Sequence, residues 1–203
     1  MEKIDLKMQW KQLYQPKAGA VVVVDVPPLN YLMVDGEGDP NTSQSFQDAI
    51  EALYSLSYTL KFTLKNGPRA IDYGVMPLEG LWWADDPRAF YEVDKSAWKW
   101  TVMIVQPEFI NQAEVDAAFE QVRKKKDLIA LDRVRFEKLE EGVSAQVLHV
   151  GPFSDEGPLV QRMHDFIHAV GKQLRGRHHE IYLSDMRRTA PEKLKTILRQ
   201  PMA

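Results

Sequence analysis

Hydrophobic and polar positions recur with two different periods along the first part of this chain, and the periods predict its strands and helices. A β-branched stretch over residues 20–36 predicts a strand that Pro27-Pro28 interrupts. Apolar residues then recur every three or four positions from Phe46 to Leu64, which is typical of a helix. We expect Asn66-Gly67-Pro68 to end that helix, because this tripeptide favours a turn.

A long aromatic segment separates the next two predicted strands. Apolar and polar residues alternate from Ala70 to Met76 and from Trp98 to Val105, which predicts extended chain in both stretches. Residues 77–87 lie between them and include the adjacent Trp82 and Trp83. We interpret this segment as a loop, and a loop so long and so aromatic is usually functional.

The same order of elements recurs in the second half of the chain. A connecting helix begins after Asn111, where Glu114 completes the pattern of a capping box. The elements predicted after it are strands over residues 133–139 and 143–150, a helix from Asp155 to Gly176, and strands over residues 180–183 and 196–199.

This repetition predicts an α+β fold built from duplicated strand-helix-strand-strand units. The two units form one antiparallel sheet, with helices on one face and a ligand cleft on the other. We expect a single domain over residues 1–203, made of two pseudo-symmetric halves at about 1–106 and 107–203.

The composition of the chain limits the functions that it can have. The 203 residues carry a formal net charge of −3, which offers no bulk attraction to nucleic acid. The longest aliphatic run near the N-terminus, Val21–Val24, is far too short to span a bilayer. The chain has no cysteine, which excludes disulfides and thiolate catalysis. With the charged N-terminus, these features predict a cytoplasmic protein without a nucleic-acid or membrane partner. A homodimer is left open.

No motif for a metal or a nucleotide is convincing. His164 and His168 have the spacing of a zinc-binding pair, but no third ligand is evident, and we expect no metal. The turn at Gly36-Glu37-Gly38 lacks the third glycine of a dinucleotide-binding motif. We therefore predict no cofactor.

The segment around Glu180 is the strongest candidate for chemistry. In a strand, Ile181 and Leu183 share one face, whereas Glu180 and Tyr182 share the other. We expect the apolar pair to pack on the helices, which directs the carboxylate and the phenol towards the open face. A carboxylate among aromatic rings is either a counter-ion for a cationic ligand or a general base. The alternative is a structural ion pair with a nearby arginine.

Four of the five tryptophans lie between residues 82 and 100. Tryptophan concentrates either in cores or at ligand contacts, so each could simply be a core residue. Neighbouring strand residues point to opposite faces, however, so Trp82 and Trp83 cannot both enter one core. The residues that we predict to contact a flat ligand are Trp82, Trp83, Trp100, Glu79 and Met103.

Three segments together give the sequence a family resemblance. Pro77–Trp83, His178–Asp185 and Pro191–Thr196 resemble the motifs of the GyrI-like small-molecule-binding family, in its stand-alone branch. The likeness covers nearly the whole chain. One departure is Met186, which stands where the family pattern has proline and so alters a turn. The resemblance implies the same duplicated fold that the order of elements predicts.

The resemblance also implies a function. Related domains meet cationic drugs through a buried glutamate, and Glu180 lies in the corresponding strand. Some stand-alone members hydrolyse planar, cyclopropane-bearing compounds that alkylate DNA. We therefore expect a protein that binds planar apolar or cationic small molecules, with Glu180 activating water and Tyr73 or Tyr182 donating to the developing oxyanion. Two alternatives stay open: a module that only sequesters cationic or polyaromatic drugs, and a gyrase-interacting protein.

Overall fold

The computed structural model describes residues 3–85 and 95–203, and it shows ten strands and five α-helices in these ranges. The strands are β1 Lys3–Ile4, β2 Val22–Val26, β3 Leu29–Glu37, β4 Asp72–Tyr73, β5 Leu78–Trp83, β6 Lys99–Gln106, β7 Arg135–Leu139, β8 Gly142–Val150, β9 His178–Tyr182 and β10 Lys195–Pro201. The helices are α1 Leu6–Gln9, α2 Lys11–Tyr14, α3 Gln44–Asn66, α4 Gln112–Arg123 and α5 Gly157–Ala169. None of these helices is long and apolar enough to cross a membrane.

Eight of the strands form one antiparallel sheet in the order β2-β8-β10-β9-β5-β6-β3-β7, which confirms the predicted fold class. The strand β2 lies at one edge, whereas β3 lies next to the other edge. Only Pro27-Pro28 separates these two strands, and only Glu140-Glu141 separates β7 from β8. Because such links span about 10 Å at most, the two edges must approach each other. The sheet is therefore curled around a concave face.

The two halves of the sheet have equivalent arrangements of strands on either side of the central β9–β5 pair. On one side β9 is followed by β10 and β8, and on the other β5 is followed by β6 and β3. Along the chain, one long helix follows the first strand of each set: α5 follows β8, and α3 follows β3. This order is what the predicted pseudo-two-fold relation requires. Superposition of the two halves stays a prediction.

The helix α3 packs on the first half of the sheet through a stripe of apolar residues. Ser43 caps its start by accepting a hydrogen bond from the Phe46 N–H, and the helix ends before Gly67, as the sequence predicts. Trp100 lies beneath it, with its ring edge-on to Phe46 at 5.0 Å. Gly36 makes room for this ring, because a Cβ at that position would lie 2.2 Å from it.

The helix α5 packs on β8 and β10 and ends earlier than the sequence predicts. Met163 and Ile167 are its buried apolar contacts. The helix ends at Ala169 rather than at Gly176, because Gly171 adopts a φ of 76° and its N–H bonds back to His168 O. A glycine in this left-handed conformation is a common way to terminate a helix.

Residues 78–83 of the aromatic segment form the strand β5, so the interpretation of this segment as a loop was wrong. β5 pairs with both β6 and β9 at the centre of the sheet. The strand predicted over residues 70–76 is reduced to β4, which pairs with β1 in a separate two-stranded sheet. A strand covered on both faces carries apolar residues on both, so β5 does not show a simple alternation. Residues 86 and 87, at the end of the predicted loop, lie outside the described ranges.

The N-terminal segment, to which we assign no element from sequence, covers part of the concave face. Leu13 and Tyr14 in α2 are fully buried. The carbonyl of Leu13 accepts a hydrogen bond from Arg199 on β10, and the carbonyl of Gln12 accepts one from Gln146 on β8. The face opposite α3 and α5 is therefore not left open.

Candidate functional site

The central strands divide the predicted site residues between the two faces of the sheet. On β5, Trp82 points to the face on which α3 packs, whereas Glu79 and Trp83 point to the concave face. On β9, Glu180 and Tyr182 share one face, as strand parity predicts. They lie on the helix side with Trp82, however, so the expectation that they point away from the helices was wrong.

On the helix side, Trp82, Tyr182 and Glu180 form a chain of hydrogen bonds. The Trp82 Nε1–H donates to the Tyr182 oxygen at 3.0 Å, and the Tyr182 hydroxyl donates to Glu180 Oε2 at 2.7 Å. The indole lies over Gly80, where a Cβ would come within 2.8 Å of Nε1. The other oxygen of Glu180 lies 3.4 Å from His178 Nε2. The Glu180 side chain is 15% exposed, so a ligand or water can reach it.

Tyr182 keeps its proton at neutral pH. Burial raises the pKa of this phenol well above its ordinary value, and the charge of Glu180 raises it further. The carboxylate of Glu180 is thus held by a stable donor. An anchored carboxylate with one oxygen left for a ligand or water is the arrangement that a general base or a counter-ion needs.

Aromatic rings surround this chain of hydrogen bonds. Trp98 lies edge-on to Trp82 at 5.8 Å, and Phe46 from α3 lies 5.9 Å from the same indole. Phe153, in the turn before α5, lies edge-on to Tyr182 at 5.7 Å. These rings give the site an apolar wall that suits a flat ligand.

Glu156 brings a second carboxyl group to the same site, and we did not identify it from the sequence. It directly precedes α5 and is only 7% exposed. Burial, assisted by the charge of Glu180, raises its pKa to about 9, so it is an uncharged acid at neutral pH. Nothing in the sequence marks this residue, because an acidic side chain before a helix is ordinarily exposed and interacts with the helix dipole.

The two histidines of α5 differ in their surroundings. His164 is buried, and burial lowers its pKa, whereas His168 is exposed. Among the residues that the structure describes, no group of three or more His, Cys, Asp or Glu side chains is placed to hold a metal ion.

The concave face carries a buried network centred on Glu79 and His179. Glu79 accepts hydrogen bonds from the hydroxyls of Tyr14, at 2.8 Å, and Tyr31, at 3.2 Å. His179 lies between two carboxylates, with Nε2 2.9 Å from Glu79 and Nδ1 2.9 Å from Glu141. Because a carboxylate can only accept, both ring nitrogens carry protons and the imidazole is a cation.

The charges in this network compensate one another. Burial alone would lower the pKa of His179, but the charge of Glu141 and the hydrogen bonds to Glu141 and Glu79 outweigh it and raise the pKa to about 9. Burial would likewise raise the pKa of Glu141, yet His179 and Arg199 lower it to about 2. The guanidinium of Arg199 is completely buried and donates to Glu141 at 3.0 Å. The network thus joins both halves of the sheet to the N-terminal segment.

The remaining predicted ligand contacts are dispersed. Trp100 is completely buried beneath α3, and Met103 is completely buried on the concave side, opposite Glu79 in register. Trp83 lies on the concave side too, with the guanidinium of Arg177 3.4 Å from the centre of its ring. Both oxygens of Glu79 are bonded to protein donors, so a ligand would have to displace one of them.

Tyr73 does not lie near Glu180. Its ring lies 5.7 Å from the Lys61 amine, near the end of α3. Phe46, which contacts Trp82, lies near the start of the same helix. The fifteen residue steps from position 46 to position 61 correspond to about 22 Å of helix. Of the two tyrosines predicted to donate to an oxyanion, the structure therefore brings only Tyr182 to Glu180.

Comparison with solved structures finds close relatives of this arrangement. Two structures from Listeria innocua, one described as an uncharacterized conserved protein and one as a hydrolase, are each 40% identical to the chain. Their TM-scores are 0.91 and 0.87, and each match covers 99% of this chain and 100% of the other. A further structure described as a hydrolase from Listeria innocua is 39% identical, with a TM-score of 0.89 and complete coverage of both chains.

More distant structures share only the fold. The C-terminal domain of EcmrR matches with a TM-score of 0.54 and 11% identity, over 91% of this chain and 97% of that domain. A search of the curated proteins gave no significant match. The model of the GyrI-like small molecule binding domain matches residues 20–201. With nearly the whole chain matched and the fold shared, the protein belongs to the family of the GyrI-like small molecule binding domain.

Proposed function

We propose that this protein hydrolyses planar, electrophilic small molecules that carry a cyclopropane ring, and that Glu180 is the general base. The observation that carries the proposal is the hydrogen-bonded chain from Trp82 through Tyr182 to the part-exposed Glu180. The family description supports a small-molecule ligand, and the relatives described as hydrolases support a hydrolytic reaction. The cyclopropane ring is the substrate feature that the family resemblance implies.

In this proposal, each oxygen of Glu180 has a separate task. Oε2 accepts from the Tyr182 hydroxyl, which fixes the orientation of the carboxylate. Oε1 then takes a proton from the attacking water, whose oxygen forms a bond to the ring CH₂ while a strained C–C bond breaks. His178, with Nε2 3.4 Å from Oε1, lies close enough to influence this proton transfer.

The aromatic wall would orient the substrate. Trp98 lies at 62° to Trp82, and Phe153 lies at 84° to Tyr182, so the rings present faces and edges rather than a parallel stack. A flat ligand can therefore stack on one ring while it meets the edge of another, and each such contact contributes about 0.5–1.5 kcal/mol beyond its buried area. In this proposal, orientation by these contacts brings the reacting carbon close to Glu180.

A multiple-turnover assay tests the proposal. The purified protein is incubated with an excess of a cyclopropane-bearing alkylating compound, and the hydrated product is quantified. We expect more than one equivalent of product, and we expect Glu180→Gln to lower kcat by about 10²–10⁴-fold. Glu192→Gln, which changes an exposed glutamate, is the matched control and should retain full activity.

Sequestration without turnover is the second candidate, because a carboxylate among aromatic rings is also a receptor for a cation. In that case, the protein would bind one equivalent of ligand and would not turn it over. Glu180→Gln would then weaken the binding of planar cations but spare neutral ligands of the same shape. A titration with matched cationic and neutral dyes separates the two roles.

A further inference from the structure

We propose that Glu156 is the proton donor of this site and forms an acid–base pair with Glu180. This inference deepens the proposed function and rests on it.

The backbone places Glu156 beside the Glu180 group. The N–H of Glu156 donates to the carbonyl of Phe153 at 3.3 Å, so the two residues share a single turn. The ring of Phe153 contacts Tyr182, which donates to Glu180. Thr196 on β10 lies directly opposite Tyr182 in register, and it is near enough to Glu156 to lower the pKa of that carboxyl group. The turn, β9 and β10 therefore converge on one cluster.

The surroundings of Glu156 keep it protonated. The groups that face it are Glu180 and Tyr182 from β9, Thr196 from β10, and Lys95 in the turn before β6. Burial and the charge of Glu180 disfavour the carboxylate form, whereas Thr196 and Lys95 offset this only in part, which agrees with a pKa of about 9. The neutral carboxyl group of Glu156 can therefore serve as the acid of this site.

One carboxyl oxygen of Glu156 has no hydrogen-bond partner in the described part of the protein. This oxygen, Oε1, is buried. Leaving a buried polar atom without a partner costs about 1–3 kcal/mol, so such atoms in proteins usually have a role. A substrate oxygen that bonds to the Glu156 carboxyl group would remove this cost.

The pair accounts for every proton and electron in the hydrolysis. Water gives a proton to Glu180 and its oxygen bonds to the ring CH₂. The C–C bond breaks, and its electron pair moves through the conjugated system of the substrate to an acceptor oxygen. That oxygen takes the proton of Glu156. Glu156 is then ionised and Glu180 protonated, and proton exchange between them through solvent restores the starting state with no other reactant.

Glu156→Gln tests the assignment, since the amide preserves shape and polarity but cannot transfer a proton. We expect kcat to fall by about 10²–10³-fold while KM changes by less than about threefold. The kcat of the wild-type protein should fall above about pH 9, and this basic limb should vanish in the variant. Asp155→Asn is the matched control, because it removes an exposed carboxylate one residue away. It should change neither kcat nor the fall of kcat above about pH 9.

Infrared spectroscopy gives a readout that does not need turnover. The wild-type protein at pH 7 should show the C=O band of a buried carboxylic acid, which disappears on titration through about pH 9 and is missing in Glu156→Gln. An ionised Glu156 at pH 7 would overturn the inference, even if the variant failed to fold. Turnover by Glu156→Gln with wild-type kcat and pH profile would overturn it as well. No turnover by the wild-type protein would instead remove the proposed function, and this inference with it.

Discussion

Raising the pH should destabilise the fold, because the buried His179 would lose the proton that joins Glu79 to Glu141. The ring bonds to both carboxylates, at 2.9 Å each. A neutral imidazole can donate from only one nitrogen, so one of the two contacts would become a repulsion between an acceptor and an acceptor. Water cannot compensate, since the side chain is completely buried.

The size of the effect follows from the pKa of His179. The folded protein raises it from 6.5 to about 9, so the stabilisation is fully present below pH 6.5 and is lost as the pH rises through 9. A pKa difference of one corresponds to about 1.36 kcal/mol, so the free energy of unfolding should fall by on the order of 3 kcal/mol. This is a large fraction of the 5–15 kcal/mol that stabilises a typical domain.

Urea unfolding at pH 6 and pH 9.5, followed by circular dichroism, measures this loss. Glu156 also has a raised pKa, so it too lowers the free energy of unfolding as the pH rises from 4.5 to 9. The comparison is therefore made in the Glu156→Gln background, which removes that contribution. His168→Gln, on the exposed side of α5, should keep the full pH dependence, and His179→Gln should abolish it. Equal unfolding free energies at the two pH values in the Glu156→Gln background would refute the charged, bridging His179.

Three further predictions follow from the site and its support. Trp82→Ala should weaken the binding of a planar ligand by about 1–3 kcal/mol in a fluorescence titration, and unchanged affinity would remove this indole from the site. Gly80→Ala should destabilise the protein by about 1–3 kcal/mol, because its Cβ would collide with the Trp82 ring, whereas Gly157→Ala meets nothing within 4 Å and should be tolerated; equal melting temperatures would contradict this. Glu141, with its pKa lowered to about 2, should lose its stabilising contribution as the pH falls from 4.5 through 2, and a Glu141→Gln variant should lack this acid limb in a melting curve.

The helix α3 is predictable from the sequence because it buries one face, on which apolar residues recur with a helical period. The strand β6 is buried on both faces, but the polar Lys99 and Thr101 alternate with Trp100 and Val102 and give it the period of a strand. The strand β5 is covered on both sides, by α3 through Trp82 and by the Glu79 network. Its pattern is therefore irregular, and from sequence it is mistaken for a loop.

The candidate site is predictable to a similar extent. Parity correctly groups Glu180 with Tyr182, because it depends only on the backbone of one strand. Parity cannot say which layer covers each face, and the polar pair lies on the helix side, where Tyr182 contacts Trp82 and Phe153. Glu156 escapes prediction since its burial depends on Phe153 and β10 coming together in three dimensions.

The most direct test of the proposed hydrolysis is product formation by the wild-type protein and by Glu180→Gln from the same excess of a cyclopropane-bearing compound. We expect continuous formation of hydrated product beyond one equivalent by the wild-type protein, and a rate lower by about 10²–10⁴-fold in the variant, with the binding of a neutral planar ligand preserved. Product that stops at one equivalent, or a variant as fast as the wild-type protein, would contradict it.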